Sequence, residues 1–416
     1  MYIKINRFVC TEAIFHRKDR YMKYRTDLKS GRELSALGFG CMRFPRGPGM
    51  KIDIPKSEAL MISAIERGIN YFDTGYIYAG NEQALGEILR RNQGMREKIY
   101  LSTKLPFNQC KEYADFDRIF NIQLERLGTD YIDYYLMHKL TSVADWERIR
   151  LLGIEDWIAQ KKSAGQIKQI GFSFHGVQSE FLALLDQYDW EFCMIQYNYI
   201  NENYQAGRKG LIKAHEKGLP VMIMEPLLGG KLANLPKKAK KLLHEQDSTV
   251  SAAAWALRWL WNHRQVTVVL SGMGSMQQLD DNIKTADTAD IGMMTDSDAE
   301  TIGRVTAIFK ESYKIPCTEC NYCLPCPKGV NIPVCFTAYN VSYASGFAAG
   351  MTLYSIGTDV TNPDKNYGAK NCIKCGKCEK HCPQNIKIMQ SLDRVQKRME
   401  PFWFNAAMKI VRKVMG

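Results

Sequence analysis

No window of the 416-residue chain approaches the about 18 uninterrupted apolar residues that a membrane helix needs, which excludes an integral helical membrane protein. The first twenty residues carry Lys4, Arg7, Arg17, Lys18 and Arg20 but no apolar h-region, so a secretory leader is not expected and the chain is expected to stay in the cytoplasm. Thiols remain reduced there, so the 13 cysteines point to metal ligation and not to disulfides; their odd number agrees. No RNA- or DNA-binding signature accompanies the net charge of +12, and a nucleic-acid partner is not expected. No Gly-x-Gly-x-x-Gly follows the first apolar run, which argues against a doubly wound dinucleotide fold. Disorder is excluded as well, because 45% hydrophobic and 24% charged residues is an ordinary globular balance.

Charge and cysteine are unevenly spread. Residues 312–416 hold 14 Lys and Arg against 6 Asp and Glu, a net of +8, together with nine of the cysteines. This shift places a domain boundary near residue 312. Residues 1–21 fit no scheme, and Met22 makes a natural start, so they are set apart as an N-terminal extension. The expected division is 1–21, 22–311 and 312–416.

Between these limits, apolar runs of five to eight residues recur at 37–41, 69–74, 99–105, 132–138, 167–174, 192–199, 220–227 and 267–273. That is the length of a buried strand. Helical spacing lies between them, as in Ala59, Ile62, Ala64, Ile65 and Ile69, or Phe116, Ile119, Phe120, Leu124 and Leu127. Buried strands alternating with helices predict a parallel sheet, and eight units in about 250 residues predict a (β/α)₈ TIM barrel. A hairpin with its turn at Ser30-Gly31 precedes the first barrel strand.

In such a barrel, chemistry collects at the C-terminal ends of the strands. Asp73 closes the second strand, Tyr78 follows in its loop, Lys104 closes the third strand and His138 the fourth. Singly, each has a dull reading: a helix cap, a solvent-facing amine, a structural imidazole. All four on one rim, within residues 68–78 (GINYFDTGYIY), 102–104 (STK) and 130–138 (DYIDYYLMH), with 170–173 (IGFS) and Gln196, resemble the aldo-keto reductase family over roughly residues 22–310.

The resemblance assigns the family's catalytic roles to Asp73, Tyr78, Lys104 and His138. Carbonyl reduction needs a hydride on carbon and a proton on oxygen. A phenol titrates near 10, and a neighbouring ammonium lowers that value. Lys104 is therefore expected beside the Tyr78 hydroxyl, with Asp73 holding Lys104 and His138 orienting the substrate oxygen. Two pKa units correspond to about 2.7 kcal/mol. The resemblance further implies NAD(P)H, with Ser173 and Gln196 on the carboxamide, Pro226 and Leu227 lining the site, and the loop Ser271-Gly272-Met273-Gly274 at the phosphates ahead of a helix N-terminus. Departures are Phe174 where the family usually has Asn, Met224 where an aromatic usually stacks on nicotinamide, and Gln278, four residues before Asn282, where many members carry an Arg for the 2′-phosphate. An amide does not match phosphate bidentately. NADH and NADPH therefore stay open, as does a flavin at the barrel mouth.

Cys372-x2-Cys375-x2-Cys378-x3-Cys382-Pro383 is the bacterial ferredoxin run for a [4Fe–4S] cluster, and Cys317-x2-Cys320-x2-Cys323-x2-Cys326-Pro327 is a near copy. Zinc ribbons use pairs of cysteines, not such triplets. Two runs imply two clusters, each taking its fourth ligand from the other run. One set is then Cys317, Cys320, Cys323 and Cys382, and the other Cys372, Cys375, Cys378 and Cys326, with Cys335 as a substitute for Cys326. With both clusters the net charge of +12 falls to about +8. The insert at 336–361 is expected to be helical in part. The stripe Ile388, Leu392, Val395 and Met399 is expected to dock on its own small, mainly helical ferredoxin-like domain, followed beyond Pro401 by a basic helix at 402–415.

The combination resembles aldo-keto reductase-like oxidoreductases with a C-terminal ferredoxin-type domain. It implies reversible redox of a small-molecule carbonyl or alcohol, associated with electron transfer through the clusters and with ferredoxin or flavodoxin as electron partner. The competing readings are a plain reductase with structural clusters and a non-enzymatic electron-transfer or redox-sensing protein on a retained barrel. The substrate loops carry no recognisable pattern.

Overall fold

The computed structural model describes residues 22–359 and 367–401; the expected extension at 1–21 and the helix expected at 402–415 lie outside them. The described chain opens with the antiparallel hairpin β1 (Tyr24–Thr26) and β2 (Glu33–Ser35). Asp27 shapes its turn by accepting from the backbone N–H groups of Lys29 and Ser30 and from the Ser30 hydroxyl. Leu34 is fully buried and packs with Tyr71, Tyr134, Phe192, Met222 and Val268, so the hairpin plugs the lower end of the barrel.

Eight parallel strands form that barrel: β3 (Leu37–Gly40), β4 (Tyr71–Asp73), β5 (Tyr100–Leu105), β6 (Ile132–Leu140), β7 (Ile167–Phe174), β8 (Phe192–Gln196), β9 (Val221–Met224) and β10 (Val268–Ser271). They close in chain order, β10 pairing with β3. Seven of the eight apolar runs read from the sequence contain one of these strands; the eighth, 132–138, falls two residues short of the end of β6 at Leu140. Successive side chains of a strand point to opposite faces. Tyr71, Tyr134, Met194 and Met222 form the barrel floor. Two residues further along the same strands stand Asp73, Leu136, Gln196 and Met224, and two beyond Leu136 stands His138. Lys104 follows Ser102, which pairs in register with Asp73. The β6–β7 register shifts between Met137 and Leu140, with Lys139 at φ 68°, so a bulge ends the regular ladder beside His138.

Helices cover the outside. The helix Ile54–Glu66 buries Ser57, Leu60, Met61 and Ala64, whereas Ala59 is exposed and Ile62 and Ile65 are half-buried. The expected stripe is thus rotated, because apolar residues occupy more than one face and only packing on the strands selects among them. The helix Ala114–Leu127 buries Phe116, Ile119, Phe120 and Leu127 as expected, together with Gln123.

After the helix Asp296–Ser312, a second core begins at Ile315 and includes Val330, Phe336, Tyr354, Leu392 and Val395. The helices Ile332–Ala344, Phe347–Gly357 and Ile388–Met399 build it, and Ile388, Leu392, Val395 and Met399 all face inward. This helical module lies over the C-terminal rim of the barrel. Lys231 pairs with Glu319 at 2.6 Å, Gln205 Nε2 donates to the Pro383 carbonyl at 2.8 Å, and Asn385 Nδ2 donates to the His175 carbonyl at 3.0 Å. Among the described residues, no helix is long and apolar enough to cross a membrane.

Candidate active site at the barrel mouth

A cavity of about 450 Å³ lies between the barrel rim and the helical module. Asp73, Tyr78, Lys104 and His138 all line it. Lys104 is 1% exposed, and its Nζ donates to Asp73 Oδ1 at 2.7 Å, Asp73 Oδ2 at 2.6 Å and the Thr74 carbonyl at 2.5 Å. Ser102 Oγ donates to the same carboxylate at 3.0 Å. Burial pushes the Asp73 carboxyl up, while Lys104 and Ser102 pull it back.

The expected acidification of Tyr78 is not what the geometry produces. Lys104 Nζ lies 4.9 Å from the centre of the Tyr78 ring, its bonds directed at Asp73 and Thr74. Burial, followed by the Asp73 charge, pushes the phenol above its ordinary value; hydrogen bonding to Tyr322 opposes the rise. The proton therefore stays on Tyr78 at neutral pH. His138 meets the Tyr78 ring edge-on, with centroids 5.9 Å apart. Burial, then the charge of Lys104, holds the His138 imidazole well below its usual range, so it is neutral.

Of the residues expected around a nicotinamide cofactor, Ser173, Pro226, Leu227, Ser271, Gly272, Gly274, Gln278 and Asn282 line the cavity. Ser173 Oγ accepts the Lys139 N–H at 2.7 Å and keeps its own proton to donate. Gln196 is fully buried at the end of β8, and neither atom of its amide has a partner among the described residues. An orphaned buried amide is costly, but Gln196 does not line the cavity, so of the two residues expected at a carboxamide only Ser173 faces it. Met273 differs from the expectation: it is buried in the main hydrophobic core with Leu279 and Ile283 and does not line the cavity. Gln278 Oε1 accepts the Gly274 N–H at 2.8 Å, tying down the glycine loop, and Asn282 Nδ2 donates to Ser271 Oγ at 2.9 Å.

The cysteines separate into two neighbourhoods. Cys323 lies in the field of Cys317, Cys320 and Cys382. Cys378 lies in that of Cys372 and Cys326. Cys323, Cys326, Cys372, Cys375 and Cys378 all line a cavity of about 290 Å³. Cys335 instead is buried in the core of the module. Burial pushes the Cys317 and Cys323 thiols up to about 12 and Cys378 to about 11. Among the described residues, no three His, Cys, Asp or Glu side chains converge on a single-ion site. Thiols that ring a cavity suit a four-iron core, which spans the space and displaces their protons.

Sequence reading missed several residues of the cavity: Arg43, His175, Glu225, Cys320 in this second role, and Tyr322. Arg43 lies against Gly272, where a Cβ would meet the Arg43 Cγ at 2.6 Å, and its Nη2 donates to the Thr318 carbonyl at 3.2 Å. His175 is 6% exposed with Nδ1 unpartnered among the described residues. Glu225, at φ 54°, receives Gln384 Nε2 on both carboxylate oxygens at 2.9 Å. The only local signal was an acidic residue beside Pro226.

The family model described as Aldo/keto reductase family matches residues 36–299, and the one described as 4Fe-4S dicluster domain matches residues 316–386. The chain is 26% identical over 320 residues to the uncharacterized oxidoreductase YrpG of Bacillus subtilis, covering 64% of this chain and 91% of that one. It is 31% identical over 225 residues to methylglyoxal reductase YeaE of Escherichia coli, covering 51% and 72%. Among solved structures, the holo form of aldo-keto reductase AKR11C1 from Bacillus halodurans superposes with a TM-score of 0.57 at 26% identity, covering 68% of this chain and 96% of that one.

Proposed function

The chain belongs to the aldo/keto reductase family and carries a 4Fe-4S dicluster domain, and from that premise we propose that it interconverts a small-molecule carbonyl and its alcohol in the cavity at the barrel mouth, associated with electron transfer through two [4Fe–4S] clusters. The observation that carries the reading is the shared cavity: the four rim residues and Cys320, a ligand of the inner cluster set, line the same space. The name of methylglyoxal reductase YeaE agrees with a carbonyl substrate.

When bound, NAD(P)H supplies a hydride and the clusters supply single electrons. Ser173, with Gln196 behind it, would hold the carboxamide; Pro226 and Leu227 would line the site; Ser271, Gly272, Gly274, Gln278 and Asn282, with Arg43 beside Gly272, would meet the phosphates. Neutral His138 donates its N–H to the substrate oxygen and fixes the carbonyl. As negative charge develops on that oxygen, Tyr78 O–H transfers its proton there; in the reverse direction the phenolate accepts it back. Lys104 holds Asp73 and the Thr74 carbonyl in place beside the Tyr78 ring. Cys317, Cys320, Cys323 and Cys382 hold the inner cluster, and Cys326, Cys372, Cys375 and Cys378 the outer one. Around the exposed Cys375 stand exposed Lys370, Lys374, Lys377 and Lys380 and the apolar Ile373, 57% exposed. This basic, partly apolar rim suits an acidic electron carrier such as ferredoxin or flavodoxin.

Anaerobic titration of the purified protein with NADH, NADPH, FMN and FAD, followed at the cluster absorbance, identifies the donor. Iron and sulfide are expected at about eight each per chain. Tyr78→Phe is expected to lower carbonyl turnover by about 10²–10⁴. Unchanged turnover of every accepted carbonyl removes the assignment.

A further inference from the structure

Residues 329–358 hold no Asp, Glu, Lys, Arg or His, in a chain of which 24% is charged. They include the helices Ile332–Ala344 and Phe347–Gly357, joined at Ser345-Gly346. The second helix buries Gly350 and Tyr354 and leaves Ala348, Ala349, Thr352 and Ile356 exposed, Ile356 by 76%. A helix that faces water carries polar and charged residues on its outer side, and one without them is normally covered. Among the described residues, nothing covers this face.

Positive charge gathers beside the helix pair. Tyr343 and Phe347, both exposed, line a surface groove with Arg394, Lys397, Arg398 and Pro401. The Arg398 guanidinium lies 4.0 Å from the centre of the Tyr343 ring and 5.4 Å from that of Phe347, and Lys314 Nζ lies 5.7 Å from the Tyr343 ring. Arg398 is fixed there, its Nε donating to Ser342 Oγ at 2.7 Å and its Nη2 to the Ser342 carbonyl at 3.3 Å. The carboxylates nearest in the chain are engaged elsewhere: Asp393 pairs with Lys374 at 3.0 Å, and Glu400 accepts the Tyr354 hydroxyl. Beyond Pro401 the sequence runs through Phe402, Trp403 and Phe404 to Lys409, Arg412 and Lys413, with no Asp or Glu. A basic segment is a poor occupant for a groove already rimmed by cations, so the complement of this face is anionic. An acidic protein complements the cations; a lipid surface complements the cations, the aromatic rings at headgroup level and the uncharged helix together.

We propose that this face of the helical module docks reversibly on an anionic lipid membrane surface. Tyr343, Phe347 and the aromatic residues after Pro401 enter the headgroup layer, and Arg394, Lys397 and Arg398 meet lipid phosphates. The proposal is independent of the chemistry at the barrel mouth.

The test sediments the full-length holoprotein, prepared anaerobically, with vesicles of phosphatidylcholine alone and of phosphatidylcholine mixed with phosphatidylglycerol. Binding is expected only to the mixed vesicles, and it should weaken as salt rises. Arg394→Gln with Lys397→Gln is expected to lower the partition constant about tenfold or more, because each basic residue at an anionic surface accounts for about fivefold. Lys23→Gln with Lys29→Gln makes the same change in charge on exposed residues of the hairpin at the opposite end of the barrel, and should leave binding unchanged. Phe347→Ser should reduce the binding that persists at high salt. Iron and sulfide content, measured on every variant, should not move. Absence of binding to the mixed vesicles at low salt overturns the proposal, and so does an equal loss in the two double variants, which would report net charge alone. If vesicles are ignored while an acidic ferredoxin binds and loses affinity on Arg394→Gln with Lys397→Gln, the face serves a protein and the membrane proposal falls.

Discussion

Glu225 shows what a single residue experiences at a domain boundary. Its carboxylate stands at the end of β9 with Gln384 on both oxygens, and burial pushes it up to about 7 from 4.5. Gln384 and Arg43 pull the other way but do not prevail. The folded state therefore binds this proton more tightly than the unfolded chain does. The stability it contributes is complete below about pH 4.5 and is lost as pH rises through about 7. Glu225→Gln carries no titrating group, so its melting temperature should fall less than that of the wild type across this window. Anaerobic calorimetry at a series of pH values measures the difference, and parallel curves would contradict it. Tyr78 and His138 carry the complementary lesson: both are buried in their neutral forms, one with a proton to give and the other with an N–H to donate.

Among the elements, the short rim loops decide how the two halves meet. Gly229 has φ 68°, a region that costs other residues about 1–2 kcal/mol, and it lies against the Thr318 backbone. Gly229→Ala adds both the backbone strain and a Cβ 2.4 Å from the Thr318 oxygen. The expected result is a melting temperature lower by several degrees and slower carbonyl turnover, with the barrel circular dichroism intact. Wild-type turnover in this variant would show that the Thr318–Tyr322 loop adjusts freely. The helix Ile388–Met399 has the opposite character: its buried stripe belongs to the core of its own module and not to the barrel.

At the scale of the molecule, the two cysteine sets differ in where they stand. Cys320 faces the enclosed cavity, whereas Cys375 is exposed on the outer side among lysines. On the proposed function, this polarity would direct electrons from the outer surface to the barrel mouth. Attraction between exposed charges is screened within about 10 Å at 0.1 M salt. Reduction by an acidic ferredoxin should therefore slow by about tenfold or more between low and high salt, and Lys374→Glu with Lys377→Glu should weaken that dependence. Stopped-flow bleaching of the cluster absorbance reads both. A rate indifferent to salt and to these substitutions would place the docking surface elsewhere.

Local chain geometry is enough to read much of this protein from its residues alone. Eight apolar runs of strand length announce the barrel, because parallel strands are buried on both faces. Asp73, Lys104 and His138 announce the rim, because period-two alternation places strand-end polar groups there. The Cys-x2-Cys-x2-Cys spacing announces the clusters, because only closely spaced thiolates wrap a cubane. Docking of the module was not legible. Arg43, Glu225 and Tyr322 line one cavity although they lie far apart in the chain, and each looks ordinary among its sequence neighbours. The state of Tyr78 is not legible for the same reason: charge and burial act through space, so only the folded chain decides whether a nearby ammonium acidifies it.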